Sequence, residues 1–172
     1  MPLLALALVL LVVAAPRAWQ WHDWTAHPDE HFAGEVVVAS IDSYHFFRVA
    51  REMREGVWDA RERDPLRRHP DAAPQERTSF LPRLIALTAD LADTTVYRAG
   101  MALSLGLGVL FAVPLLLYFA RCGLPLAGGV GAALGGVAPA YLQRTSVYRV
   151  DTDGGTLAFV WLVSLLLLLT LD

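Results

Sequence analysis

The chain has 172 residues, of which 55% are hydrophobic and 18% are charged, with a formal net charge of −3. This apolar content exceeds that of typical soluble domains, so the composition indicates a membrane protein. The weak negative charge gives no indication of nucleic-acid binding. The single cysteine, Cys122, excludes an internal disulfide.

Four uncharged blocks mark the candidate membrane helices, because a helix needs about 20 apolar residues to cross the hydrocarbon core. We predict spans at about residues 2–18, 99–120, 122–142 and 154–171. The first block could instead be a signal peptide, but no basic residue precedes it and further spans follow, so we favour an uncleaved span. The predicted fold is all-α, a polytopic membrane protein with about four transmembrane helices.

Two charged loops separate these spans, at residues 19–98 and 143–153, with the polar segment starting at about Arg17. One loop follows the first span and the other follows the third, so both fall on the same side of the membrane. The charge counts of the short loops do not decide which side that is. Apolar residues at helical spacing predict surface helices over residues 40–63 and 78–91.

Several residues near the span ends suggest local structure. Trp19, Trp21 and Trp24 lie just beyond the first span, where an interfacial aromatic belt explains them. The pair Thr94-Thr95 could cap the second span. The third span is rich in glycine, which favours a position inside the helix bundle, and Pro139 predicts a kink near its end.

Three acidic residues, Asp42, Asp151 and Asp153, carry the strongest chemical signal. In an extended backbone Asp151 and Asp153 would point to the same side, and carboxylates are preferred ligands of Mg²⁺ and Mn²⁺. Helix capping is the competing interpretation, since Asp153 precedes an apolar helix and Asp42 begins an amphipathic one. Arg144 could extend towards the interface from a span end or bind phosphate through two hydrogen bonds.

Two motifs carry a resemblance to a known family. The first is IDSYHFF at residues 41–47 with AREM at residues 50–53; the second is APAYLQRT at residues 138–145 with Tyr148 and DTD at residues 151–153. They resemble the two first outer-loop motifs of oligosaccharyltransferase catalytic subunits, closest to the single-subunit bacterial and archaeal enzymes. The resemblance covers essentially the whole chain but only the start of the family's architecture, so we expect an N-terminal fragment.

The resemblance implies the N-terminal part of a GT-C-type membrane fold, with residues 1–172 forming a partial transmembrane glycosyltransferase domain. It implies transfer of an oligosaccharide from a polyprenyl-linked (pyro)phosphate donor to asparagine of an acceptor polypeptide. Asp42 and Arg144 would be catalytic, while Asp42, Asp151 and Asp153 would hold Mn²⁺ or Mg²⁺. The charged loops would lie on the periplasmic side of the cell inner membrane, and we expect this stretch alone to be inactive.

Two other functions remain open at this point. One is another polyprenyl-phosphate-sugar-dependent transferase resembling the protein O-mannosyltransferases, in which an outer-loop aspartate acts as general base without a metal. The other is a non-catalytic membrane fragment or assembly partner. The chain departs from the resembled family in two features that bear on the affinity for a metal ion. Gly154-Gly155 follows Asp151 and Asp153, and Arg149 places a positive charge close to them.

Overall fold

The computed structural model describes residues 3–27, 31–59, 63–64, 73–74 and 80–171, and most of these are helical. The helices described are α1 (Leu3–Ala26), α2 (Ile41–Arg54), α3 (Phe80–Leu91), α4 (Val96–Leu110), α5 (Ala112–Arg121), α6 (Pro125–Val137), α7 (Pro139–Arg144) and α8 (Asp153–Thr170). The strands described form two antiparallel pairs, β1 (His31–Phe32) with β2 (Glu35–Val36) and β3 (Arg63–Asp64) with β4 (Ala73–Pro74). The predicted all-α class is confirmed.

Among the described residues, three helical segments are long and apolar enough to cross a membrane: Leu4–Ala26, Val96–Arg121 and Asp153–Thr170. The second segment combines α4 and α5, which meet at Phe111. Pro114 explains this junction, because its ring removes the backbone donor for the carbonyl of Leu110, the last residue of α4. The chain therefore crosses from one end of the bundle to the other with a local break rather than a turn.

The third predicted span is divided into α6 and α7. Ala138 separates them with an extended backbone (φ −58°, ψ 131°). This conformation follows from Pro139, since the residue before a proline is pushed out of the helical region. Pro139 therefore interrupts the helix as the sequence indicates, and α7 leaves the axis of α6.

Helix α6 packs through one face only, which corrects the prediction that it lies inside the bundle. Its buried residues are Gly128, Ala132 and Gly136, and they contact α5 and α1, where Gly128 lies against Phe119 and Gly136 against Val13. Leu126 and Leu134 on the other face are exposed by 80% and 65% of their surfaces. The glycines thus permit close approach on one side rather than burial all round.

Helix α2 ends at Arg54, nine residues earlier than predicted. The backbone N–H of Val57 donates to the carbonyl of Glu52, and that of Gly56 donates to Met53. Gly56 has φ +70°, so these bonds form the glycine-terminated C-cap that closes many helices. The apolar spacing predicted a longer helix because it gave too little weight to this glycine.

The second predicted surface helix and the predicted cap are both present. Helix α3 falls within the predicted range, of which residues 78–79 lie outside the described part of the chain. Thr95 is the N-cap of α4, and its hydroxyl accepts a hydrogen bond of 3.3 Å from the backbone N–H of Arg98. Capping by Thr95 is therefore confirmed.

Two of the apolar clusters among the described residues pack these helices against one another. One joins α2, α3 and α4 through Phe47, Ala50, Ile85, Ala89 and Ala99. The other joins α1, α5, α6 and α8 through Val13, Leu116, Ala132 and Ala158. The first cluster matters for the site, because it fastens the helix that begins with the first motif onto the membrane-spanning bundle.

Candidate active site

The second motif lies in a buried loop, residues 145–152, that connects α7 to α8. Thr145, Ser146, Val147 and Val150 in this connecting loop are at most 1% exposed. A loop can be buried only if its backbone polar groups find partners. The partners come from several elements of the bundle, and they determine where the acidic residues of the motif are held.

Helix α2 and the segment before it bind the connecting loop directly. The hydroxyl of Ser43 donates to the carbonyl of Val150 at 2.9 Å, and the backbone N–H of Ala39 donates to the carbonyl of Tyr148 at 2.8 Å. These two hydrogen bonds join residues that are 107 and 109 positions apart in the sequence. The two motifs meet at one end of the helix bundle, with Asp42 next to Ser43 and Asp151 next to Val150.

Helix α4 supplies a second anchor for the connecting loop. The Ser104 side chain is 3% exposed, and its hydroxyl lies 3.1 Å from the carbonyl oxygen of Ser146 and 3.3 Å from that of Arg149. The backbone N–H of Arg149 donates to the carbonyl of Ser146, which closes a tight turn. The single hydroxyl proton of Ser104 is shared between these two carbonyls, so one serine of a membrane-spanning segment contacts both sides of the turn.

Trp24 at the end of α1 anchors the loop from a third direction. Its ring stacks on Tyr148 with centroids 4.3 Å apart, and its indole N–H donates to the carbonyl of Val37 at 2.7 Å. The interfacial-belt interpretation is therefore incomplete for Trp24, although it suits Trp19, which is 66% exposed. No local sequence pattern predicts this stacking, because the two rings come from distant segments.

The acidic residues of the two motifs occupy different positions relative to the helices. Asp42 is the second residue of α2 and is exposed, and the N-cap position is taken by Ser40. Asp153 is the first residue of α8, after the N-cap residue Thr152. Neither aspartate is the N-cap residue, so the capping interpretation is wrong in that form. Each still lies in a first turn, where a negative charge is favourable.

Asp151 is the least exposed of the three carboxylates, with 14% of its side chain accessible. Its Oδ1 atom accepts hydrogen bonds from the backbone N–H of Thr152 at 2.6 Å and from the Thr152 hydroxyl at 3.3 Å. Its Oδ2 atom lies 3.9 Å from Nη2 of Arg149. Asp151 is therefore an oriented carboxylate with one oxygen held by its own loop and the other facing a guanidinium.

Arg144 is the last residue of α7, and most of its side chain is exposed. Its Nη1 atom lies 3.5 Å from Oδ2 of Asp153, with the two side chains 64% and 40% exposed. Such a solvated pair contributes little to stability. The guanidinium is consequently available to exchange Asp153 for another anion, including a phosphate.

The donor atoms suit a hard divalent cation, but the set is incomplete. Carboxylate oxygens are what Mg²⁺ and Mn²⁺ prefer. Across the described ranges, however, no three or more His, Cys, Asp or Glu side chains are grouped so that they could hold a metal ion. The structure therefore brings the two motifs together without assembling Asp42, Asp151 and Asp153 into a metal centre.

Arg17 is the residue of this region that the sequence interpretation misplaced. The charge pattern predicts that the polar segment starts at about Arg17, but α1 continues to Ala26 and the Arg17 side chain is 0% exposed. The guanidinium donates to Thr145, the first residue of the connecting loop. The available signal was the absence of any helix-breaking residue between Arg17 and Ala26, which extends the first helix past the arginine.

These features define the class of this protein. It is an integral membrane protein in which the helix bundle holds two acidic motifs together at one end. The sequence matches the family described as "Oligosaccharyl transferase STT3, N-terminal" over residues 9–171. The chain belongs to this family, and the resemblance noted from the two motifs is confirmed. At the level of the family, it is a membrane glycosyltransferase chain. No curated protein matches the chain.

Proposed function

We propose that this chain forms part of the active site of an oligosaccharyltransferase. The reaction moves an oligosaccharide from a polyprenyl-linked phosphate or pyrophosphate donor to asparagine of an acceptor polypeptide. Family membership supports the reaction class, and the hydrogen bond from Ser43 to Val150 supports a shared site for the two motifs. The charged loops face the periplasmic side of the cell inner membrane, where such a donor and acceptor would meet.

The exposed residues of the site suit the handling of substrates. Asp42 is accessible at the start of α2 and orients the acceptor amide next to the sugar. Arg144, with its exposed guanidinium, binds the donor phosphate through two parallel hydrogen bonds. Because Nη1 of Arg144 lies 3.5 Å from Oδ2 of Asp153, donor binding exchanges one anionic partner of Arg144 for another.

The acidic residues suit a cation that completes its coordination elsewhere. Asp151 is the principal ligand, with Asp42 and Asp153 as the further carboxylates, and Mn²⁺ or Mg²⁺ is the ion. When bound, such an ion stabilises negative charge on the departing phosphate. The remaining ligands come from water, substrate or other protein groups, since the described residues supply too few.

The test compares three aspartate variants in native membranes, where the chain is produced with whatever proteins accompany it. Asp42→Ala and Asp151→Ala are expected to lower glycan transfer to an asparagine-containing peptide at least about 100-fold, the scale of losing a positioned charged group. Asp23→Ala is the matched control, because Asp23 is an exposed aspartate in α1, with 52% of its side chain accessible. Its transfer rate should equal that of the parent chain.

Binding of Mn²⁺ to the purified chain separates the metal from the rest of the reaction. Asp151→Ala should weaken Mn²⁺ binding at least about tenfold, because affinity follows the number of charged ligands. Transfer that depends on Asp42 but survives removal of divalent cations would favour the O-mannosyltransferase-like alternative. Undiminished transfer in both aspartate variants would leave a non-catalytic assembly role as the better explanation.

A further inference from the structure

The side chain of Arg17 is a charge inside a membrane-spanning helix to which the proposed reaction assigns no role. It belongs to the candidate span Leu4–Ala26 and is 0% exposed. A guanidinium in such a place is costly unless it is well bonded, and intramembrane charges usually have a functional reason. Its contacts in the described chain therefore need an explanation.

Arg17 is bonded to backbone and hydroxyl oxygens from three elements. Nη1 donates to the carbonyl of Val13 in α1 at 2.8 Å and to that of Gly136 in α6 at 3.1 Å. Nη2 donates to the hydroxyl of Thr145 at 2.6 Å. The guanidinium carbon also lies 5.1 Å from the ring centre of Tyr141, within the range of a cation–π contact.

Glycines in the neighbouring helices leave room for the Arg17 side chain. A Cβ atom built at Gly108 would lie 2.6 Å from Nε of Arg17, and one built at Gly136 would lie 2.6 Å from Val13. Side chains at these two positions would displace the guanidinium or separate α6 from α1. Two glycines on different helices thus permit a single arginine to bridge α1, α6 and the connecting loop.

The bond to Thr145 acts on the point where the chain leaves α7. While the Thr145 hydroxyl accepts from Arg17, it donates to the carbonyl of Tyr141 at 2.8 Å. The Tyr141 hydroxyl in turn donates to the carbonyl of Gly108 at 3.2 Å. This chain of hydrogen bonds determines the position of Thr145, which directly follows Arg144 and begins the loop that carries Asp151.

We propose that Arg17 is a positioning residue for glycan transfer: from inside the membrane it holds Thr145, and through it the connecting loop, so that Arg144 and Asp151 face the substrates. The inference rests on the proposed function only for the identity of the reaction. The orientation of the loop by Arg17 is a property of the chain itself and can be measured without substrate.

The kinetic test uses Thr145→Val, which removes the hydroxyl but keeps the shape, together with Arg17→Met and Arg17→Lys. Thr145→Val and Arg17→Met should lower kcat for glycan transfer about 10- to 100-fold, the effect of misplacing catalytic groups by about 1 Å. The acceptor KM should stay within about twofold, because the exposed acceptor-binding residues are untouched. Arg17→Lys keeps one charged donor and should recover part of the rate.

The control is Thr170→Val at the far end of α8, where the threonine hydroxyl also bonds a backbone carbonyl, that of Leu167. It should leave kcat unchanged. If Thr145→Val and Arg17→Met are as active as this control, Arg17 does not position the site. The folded fraction of each variant is measured by size-exclusion recovery, because a loss of folded protein lowers the apparent kcat without changing KM. If the fall in kcat is no larger than the fall in the folded fraction, Arg17 is only a structural anchor.

Hydrogen exchange of the purified chain in detergent separates this inference from the proposed function. Thr145→Val should speed exchange of the Arg149 amide, which bonds Ser146 within the loop, by at least about tenfold, while α5 amides remain as in the parent. This result would support loop positioning even if no glycan transfer were detected, in which case the proposed reaction alone would fail. Unchanged exchange at Arg149 would overturn the inference whatever the activity.

Discussion

Replacement of Gly108 by alanine should loosen the contact between Arg17 and Thr145. The added Cβ would lie 2.6 Å from Nε of Arg17 and 3.3 Å from Cβ of Thr145. Carbon and nitrogen atoms pack comfortably at about 3.5 Å, so the guanidinium must move by about 1 Å. A movement of that size away from Thr145 would stretch the present 2.6 Å hydrogen bond to about 3.6 Å, beyond bonding distance.

The expected cost follows from the bond that is lost. A hydrogen bond to a charged group contributes about 1.5–3 kcal/mol to the free energy of unfolding. Alanine in place of glycine within a helix recovers up to about 1 kcal/mol. Gly108→Ala should therefore lower the free energy of unfolding by about 0.5–2 kcal/mol.

Gly106→Ala is the matched control, since it is the same substitution in the same helix two residues away. A Cβ built at Gly106 meets no atom within 4 Å, so this variant should gain the helical contribution of up to about 1 kcal/mol and lose nothing. The assay is equilibrium unfolding in mixed detergent micelles, followed by far-ultraviolet circular dichroism. The difference between the two variants removes the helix-propensity contribution and should be about 1.5–3 kcal/mol.

Equal unfolding free energies for Gly108→Ala and Gly106→Ala would refute the reasoning. That result would mean that Arg17 moves without losing a stabilising contact. A local measurement accompanies the global one and uses a chain in which the four other tryptophans are replaced by phenylalanine. The fluorescence of Trp24, which stacks on Tyr148 in the connecting loop, should change in Gly108→Ala and remain constant in Gly106→Ala.

Two further predictions concern α2 and the acidic pair. Phe47→Ala should destabilise the chain by about 3–5 kcal/mol, because Phe47 is 1% exposed in the cluster that docks α2, whereas Ile41→Ala at an 89% exposed position of the same helix should change unfolding by at most about 0.5 kcal/mol. Equal effects in a thermal unfolding assay would contradict this docking. Arg149→Gln should strengthen Mn²⁺ binding about three- to tenfold, because it removes a positive charge, 3.9 Å from Asp151, that repels the cation. Weaker binding of Mn²⁺ to this variant in electron paramagnetic resonance titrations would contradict the prediction.

Local structure could be predicted from the sequence wherever a single residue type is enough to cause it. Blocks of apolar residues predicted the membrane class and the helices, because span length depends only on bilayer thickness. Thr95 predicted a cap and Pro139 an interruption, since both act on their immediate backbone neighbours. The end of α2 was equally local, and the spacing argument missed it by underrating Gly56.

The candidate site was only partly readable. The two motifs and their family were evident from residues 41–53 and 138–153, because the acidic and aromatic residue types are themselves the signal. Their contact through Ser43 and Val150 was expected from the order of spans, but the residues that make it were not. The predicted metal ligation by Asp42, Asp151 and Asp153 stays a prediction.

What the sequence by itself determined is therefore the class, the family and those local features that one residue causes, such as the cap at Thr95 and the interruption at Pro139. Only the tertiary structure decided that Arg17 is buried and that it holds Thr145, 128 positions away. The physical reason is that an arginine can remain inside a membrane bundle only where distant oxygens converge on it and where small residues such as Gly108 and Gly136 leave space. Those conditions depend on which helices pack together, and they cannot be predicted from any short stretch of the sequence.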